Sequence, residues 1–213
     1  MSTTQVRVSW DEFLARCPES RLVEWVGGEV VAHTPPLTRH QLVTQFLQVL
    51  LLHFAEITRA GVVLPAPYLM RLSPDGPARE PDVLFVAETH RDRIRRERVE
   101  GPADLAVEVI SEDSVARDRS EKFYEYQRFG VREYWLIDPR PGLERADFWV
   151  LDGEGRYRAA LPDAEGVYRA TVLPGFWLRP EWLRADPLPP TLAALGWIAG
   201  DEAARALRTR EEP

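Results

Sequence analysis

A mixed α/β (α+β) chain, with helices flanking a central mixed sheet, is predicted by three observations. Residues 38–59 form one long stretch with apolar positions at helical spacing, Leu42, Phe46, Val49, Leu50 and Phe54. Residues 82–87 and 104–110 are short, apolar and β-branched, as strands buried on both faces are. Paired short runs around Gly27-Gly28 and Asp152-Gly153 read as β-hairpins. Helices and strands interleave without an internal repeat, which selects a layered α/β or α+β architecture.

The elements follow in order. Ser9-Trp10-Asp11-Glu12 is a capping box that opens a short helix through Arg16, with Pro18 ending it. Residues 22–26 and 29–32 form the first hairpin. Pro35-Pro36 breaks the chain before the long helix, and Gly61 follows that helix. Residues 62–72 carry two prolines and read as an edge or bent strand. After the charged segment 91–98 and the strand at 104–110, a helix is expected from Asp118 to Phe129, closed by Gly130 at its C′ position. Residues 132–138 form a strand ended by Pro139. The runs 148–151 and 157–161 form the second hairpin, and 167–173 a further strand. At Ala185 the chain changes character. Residues 1–184 are expected as one domain; Asp-Pro-Leu-Pro-Pro then reads as a linker, and 185–213 as linker plus C-terminal helix or tail.

Composition narrows the class. The 213 residues are enough for one sizeable core. One cysteine cannot form an internal disulfide, and no apolar run approaches a membrane span, so a cytoplasmic, non-membrane protein is expected. A net charge of −7 argues against a general nucleic-acid coat protein. It leaves room for an acidic site neutralised by divalent metal. Zinc is disfavoured, because His33, His53 and His90 lack ligand spacing. Arg91, Arg93, Arg95, Arg96 and Arg98 could meet phosphates, but Asp92, Glu97 and Glu100 dilute them toward an ordinary solvated face. Tyr134-Trp135 reads as strand packing.

Of 27 basic side chains only Lys122 is lysine. Where arginine supplies charge everywhere else, a surviving amine suggests work that a guanidinium cannot do, since an amine is compact and its pKa falls on burial. On its helix Lys122 shares a side with Phe123, Tyr126 and Phe129, while Glu121, Glu125 and Arg128 take the solvated one. Strand alternation puts Ala106, Glu108 and Ile110 on one face of the sheet and Leu105, Val107 and Val109 on the other. A carboxylate inside such an apolar run is costly unless it is paired or holds a metal. With Asp82, which follows Pro81, these residues have the chemistry of a metal-dependent phosphodiesterase. The plainer alternatives are an arginine salt bridge for Glu108, a turn aspartate for Asp82, and a lysine whose stem snorkels along the core edge.

Pro81-Asp82 followed by Glu108 is similar to the PD-(D/E)XK nuclease signature, except that Ile110 stands where the lysine normally does. The run Val107-Glu108-Val109-Ile110-Ser111, then Asp118, Lys122 and Tyr126, resembles the Uma-type putative restriction endonuclease family, whose lysine is displaced onto the next helix. Gly130-Val131-Arg132-Glu133-Tyr134-Trp135-Leu136-Ile137-Asp138-Pro139 matches that family's most recognisable run, and Glu24 and His40 also match. The resemblance covers residues 9–184 and implies a restriction-endonuclease-like core with added β-hairpins. It further implies an Mg²⁺- or Mn²⁺-dependent endonuclease hydrolysing phosphodiester bonds, with DNA preferred over RNA as the nucleic-acid partner. Asp82, Glu108 and the Ile110 carbonyl would ligate the metal, Lys122 would orient or activate the attacking water, and His40 and Glu24 would be accessory catalytic residues. Helix capping for His40 and a hairpin charge for Glu24 stand as the alternatives. A homodimer is left open. So are a non-catalytic binding or regulatory protein that keeps the fold, and a metal-dependent hydrolase of another phosphoester.

Overall fold

The computed structural model describes residues 7–16, 23–32 and 37–208, with side chains of the last helix described through Gly200. The chain enters through α1 (Trp10–Arg16), capped as expected: Ser9 Oγ accepts the Glu12 N–H at 3.2 Å and Glu12 Oε2 accepts the Ser9 N–H at 2.9 Å. Strands β1 (Val23–Val26) and β2 (Glu29–Ala32) pair antiparallel around Gly27 and Gly28, both at positive φ. Leu22, Pro18, His33 and Pro35-Pro36 lie outside the described residues.

Helix α2 (Thr38–Thr58) buries Val43, Phe46, Leu47, Leu50, Leu51 and Phe54. The buried stripe is therefore rotated from the expected one: Leu42 is exposed and Val49 only half-buried. In a helix this apolar, the packing partner rather than composition selects the face. Residues 62–72 divide at the prolines into β3 (Gly61–Pro65) and β4 (Leu69–Arg71), which belong to different sheets. Next come β5 (Ala78–Arg79), β6 (Val83–Ala87), a 3₁₀ turn over Glu88–Arg93, β7 (Arg98–Glu100) and β8 (Leu105–Val109).

The helix expected from Asp118 starts instead as a π-turn, Arg117–Lys122, that runs into α3 (Phe123–Phe129). Gly130 closes α3 at φ 88°, and the Gly130 and Val131 N–H groups both return to the Tyr126 carbonyl. Strands β9 (Glu133–Asp138), β10 (Arg145–Leu151) and β11 (Tyr157–Ala159) follow. The strand expected at 167–173 shrinks to β12 (Tyr168–Arg169), paired with β13 (Trp177–Leu178). Here the chain turns inward to serve Glu133, whose buried carboxylate accepts the Thr171 and Val172 N–H groups at 2.8 and 3.0 Å. A 3₁₀ turn, Pro180–Leu183, leads to α4 (Thr191–Arg208).

The central sheet runs β11-β10-β9-β8-β6-β3 and is mixed, parallel only between β8 and β9. The parallel pair is joined through the π-turn and α3, as a crossover connection requires. On one face α2 packs over Val83, Phe85, Leu105, Val107 and Val109, together with Ala194, Leu195 and Ile198 of α4. On the other face Tyr126 of α3 packs with Leu84, Val86, Ala106 and Ile110, and with Met70 and Val99 of the second sheet, ordered β2-β1-β5-β4-β7. Tyr134 and Trp135 are both fully buried core residues, the latter edge-on to Phe148. Among the described residues no helix is long and apolar enough to cross a membrane.

Candidate active site

Register and alternation assemble the site. Val83 pairs with Val107, so one step outward Asp82 stands opposite Glu108 at the end of the β6–β8 ladder. Glu108 shares the α3 face with Ala106 and Ile110, as its strand parity requires. Asp82 is fixed by its own neighbour strand: Oδ2 accepts the Val109 N–H at 2.7 Å. From the opposite face, at the start of α2, His40 reaches round the sheet end and places Nε2 3.5 Å from Asp82 Oδ1.

Lys122 is 3% exposed and points into the sheet. Its Nζ donates to Glu108 Oε1 at 2.9 Å and stands 3.1 Å from Glu24 Oε1 and 3.4 Å from Asp118 Oδ1. Tyr126, one turn later on the helix, donates to the same Glu108 oxygen at 2.7 Å. Asp118 lies four residues before Lys122, and Tyr134 OH holds the Asp118 carbonyl at 3.0 Å, anchoring the π-turn to the sheet. Glu24, on β1 of the second sheet, is fully buried; its Oε2 accepts Arg79 Nη1 at 3.0 Å.

Crowding sets the electrostatics. Burial pushes the Glu108 carboxyl well above its usual range, against the opposing pull of Lys122. Burial also works to lower the Lys122 pKa. The carboxylates of Glu108, Glu24 and Asp118 outweigh it, so the pKa rises and the amine stays an ammonium ion. The expectation of an amine made easier to deprotonate by burial is thus reversed by its neighbours. Lys122 is a fixed positive charge. His40, disfavoured as a cation by burial, is nevertheless raised by its hydrogen bond to Asp82 and by that carboxylate's charge.

Two members of the cluster escaped the sequence reading. Arg79 is a fully buried guanidinium that binds Glu24 and also Glu125, at 2.7 and 2.8 Å. Glu121 and Glu125 are therefore not merely a solvated face: both reach Arg79. Glu80 donates its N–H to Glu24 Oε1 at 3.2 Å, while its Oε2 is buried without a hydrogen-bond partner. Burial, with the charge of Glu24, pushes the Glu80 carboxyl up to about 7. A charged Arg-Glu pair leading into a buried strand was the available signal. The arginine-rich segment, by contrast, begins after β6, a five-residue strand that runs away from Asp82. That is roughly 17 Å at the usual rise per residue. Arg91 is paired there with Glu88, and Arg98 with Glu100.

The donor set bears on metal binding. Among the described residues no three His, Cys, Asp or Glu side chains are grouped to hold an ion by themselves. One or two carboxylates, with water and substrate oxygen completing the shell, is nevertheless the usual arrangement for Mg²⁺. Asp82 is one-fifth exposed, at the rim of a cluster in which five carboxylates (Glu24, Glu80, Asp82, Glu108 and Asp118) face Lys122, Arg79 and His40. That excess of acid, with Glu80 Oε2 buried without a hydrogen-bond donor and Asp118 Oδ1 in a loose 3.4 Å ion pair with the Lys122 ammonium, fits a hard divalent cation.

The sequence pattern of the Uma2 family, described as a putative restriction endonuclease, matches residues 10–181. Among solved structures, a putative nuclease belonging to DUF820 from Anabaena variabilis is similar to this chain, with a TM-score of 0.65 at 16% identity. The similarity covers 83% of this chain and 97% of that one, and it shows a shared fold. No curated protein matches the chain.

Proposed function

From a chain that belongs to the Uma2 family of putative restriction endonucleases, we propose a divalent-metal-dependent endonuclease that hydrolyses phosphodiester bonds in DNA. The observation that carries this reading is the buried Lys122 ammonium 2.9 Å from Glu108, on the strand position opposite Asp82. Asp82, Glu108 and the Ile110 carbonyl would hold Mg²⁺ or Mn²⁺. When bound, such an ion lowers the pKa of a coordinated water and offsets charge on the phosphate.

The chain's own residues have distinct tasks. Lys122 orients Glu108 and pulls it toward its ionised form against burial, and contributes positive charge where the pentavalent phosphate gathers negative charge. As a persistent ammonium it orients water by donation and does not abstract its proton. Tyr126 donates to Glu108 Oε1, leaving Oε2 as the oxygen free to face a cation. The Val109 N–H and His40 hold Asp82 from both sides. Glu24 balances Lys122 from the second sheet.

A second reading, a nuclease fold retained for binding, is favoured by the net charge of −7. One experiment separates the two: incubation with supercoiled, linear and single-stranded DNA, with and without Mn²⁺, for wild type and Asp82→Ala. Mn²⁺-dependent cleavage lost in the variant supports the endonuclease. Absence of cleavage by the wild type on every substrate sinks it in favour of binding.

A further inference from the structure

Arg79 contacts the machinery without belonging to it. It is 1% exposed, and its whole guanidinium fork is used. Nε and Nη2 bind the two Glu125 oxygens at 2.7 and 2.8 Å, Nη1 binds Glu24 Oε2 at 3.0 Å, and Nη2 also stands 3.5 Å from Glu121 Oε2. Glu121 precedes Lys122 and Glu125 follows it by three residues, so the fork grips the helical segment on both sides of the lysine. Its other hold, Glu24, presents the remaining oxygen to Lys122 Nζ at 3.1 Å. One side chain of the second sheet thus fixes both the backbone that carries the ammonium and a carboxylate against which it rests.

We propose that Arg79 is a positioning residue that sets where the Lys122 ammonium stands relative to Glu108 and Asp82. The importance of that placement for cleavage rests on the endonuclease reading; the placement itself does not. A planar fork is needed because its donors must meet three carboxylates in different directions. A lysine at this position would keep the charge but could not span both Glu125 oxygens while holding Glu24.

The single lysine makes the test direct. Protein labelled with ¹⁵N,¹³C-lysine gives one side-chain Nζ signal, from Lys122 alone. In Arg79→Lys that signal should shift or broaden, and kcat for Mn²⁺-dependent cleavage should fall about tenfold or more, with KM nearly unchanged. Glu125→Gln removes one end of the fork's grip and leaves Arg79 on Glu24, so it should move the signal in the same sense by less. It decides the matter alone if Arg79→Lys does not fold. A clamp with no positioning role would lower the melting temperature of both variants yet leave the Nζ signal and the kcat of the folded protein at wild-type values. That outcome overturns the proposal. Should wild type cleave no nucleic acid, the endonuclease reading fails, and the Nζ signal still decides what Arg79 does.

Discussion

Lys122 combines deep burial with three carboxylate neighbours, and its substitutions should separate charge from shape. Lys122→Ala strands Glu108, Glu24 and Asp118 without their shared cation and should cost about 3–5 kcal/mol of stability. Lys122→Arg keeps the charge but overfills a closed space, at about 1–3 kcal/mol. Its cleavage rate should fall on the order of a hundredfold, because the charge is spread over a larger fork and displaced from the reacting phosphate. Urea denaturation and Mn²⁺-dependent cleavage check both; a fully active Lys122→Arg would mean that charge alone suffices. Asp138 offers a pH test on a carboxylate outside the Lys122 ion pairs. Burial works to raise its pKa, but hydrogen bonds from Arg140 and Arg119 prevail and hold it below the usual value. A depressed folded-state pKa gives stability that is present above the unfolded value near 3.8 and lost as pH falls through the folded one. Asp138→Asn should therefore be less stable than wild type at neutral pH, with the gap closing as pH drops below that value. A gap that stays constant in acid denaturation curves would discount the ion pairs.

At the scale of elements, the C-terminus of α3 is the simplest point to test. Gly130 sits at φ 88° with nothing within 4 Å of where a Cβ would lie, so Gly130→Ala should cost about 1–2 kcal/mol from backbone conformation alone. Thermal unfolding that shows no loss would contradict that assignment. This cap was readable from sequence because Gly130 follows an apolar helical run, and the Ser9 box and both hairpins were readable for the same local reason. Strand alternation likewise fixed the face of Glu108. The π-turn was not readable, since it reflects how Asp118 and Lys122 together reach Glu108 rather than any residue's own preference. The rotation of the α2 stripe away from Leu42 depended on which neighbours it met. Arg79 was hidden because its meaning lies in partners 46 and 55 residues distant in sequence. The direction of the Lys122 pKa failed for the same reason: burial was foreseeable, but the number of acids gathered round the amine was not.

For the whole molecule, α4 lies beyond the stretch matched by the family, yet its Ala194, Leu195, Ile198 and Ala199 pack in the same core cluster as α2. Trp182 joins them through ring contacts with Trp177 and Trp197, at 5.4 and 5.5 Å. Removing residues 186–213 should cost about 3–6 kcal/mol, from Leu195 and Ile198 at the usual value for a buried aliphatic side chain. Denaturant midpoints of the two forms check this, and an unchanged midpoint would make α4 an appendage. The burial of Lys122 has a consequence for reagents as well as for chemistry. Among the side chains of these 213 residues, an acylating ester that attacks primary amines finds only this one Nζ, whose side chain is 4% exposed and held by acids. In the native protein the Lys122 peptide should thus stay unacylated by mass spectrometry and take up its acyl group only on unfolding. The rate of that uptake would report how often the fold opens, without any mutation.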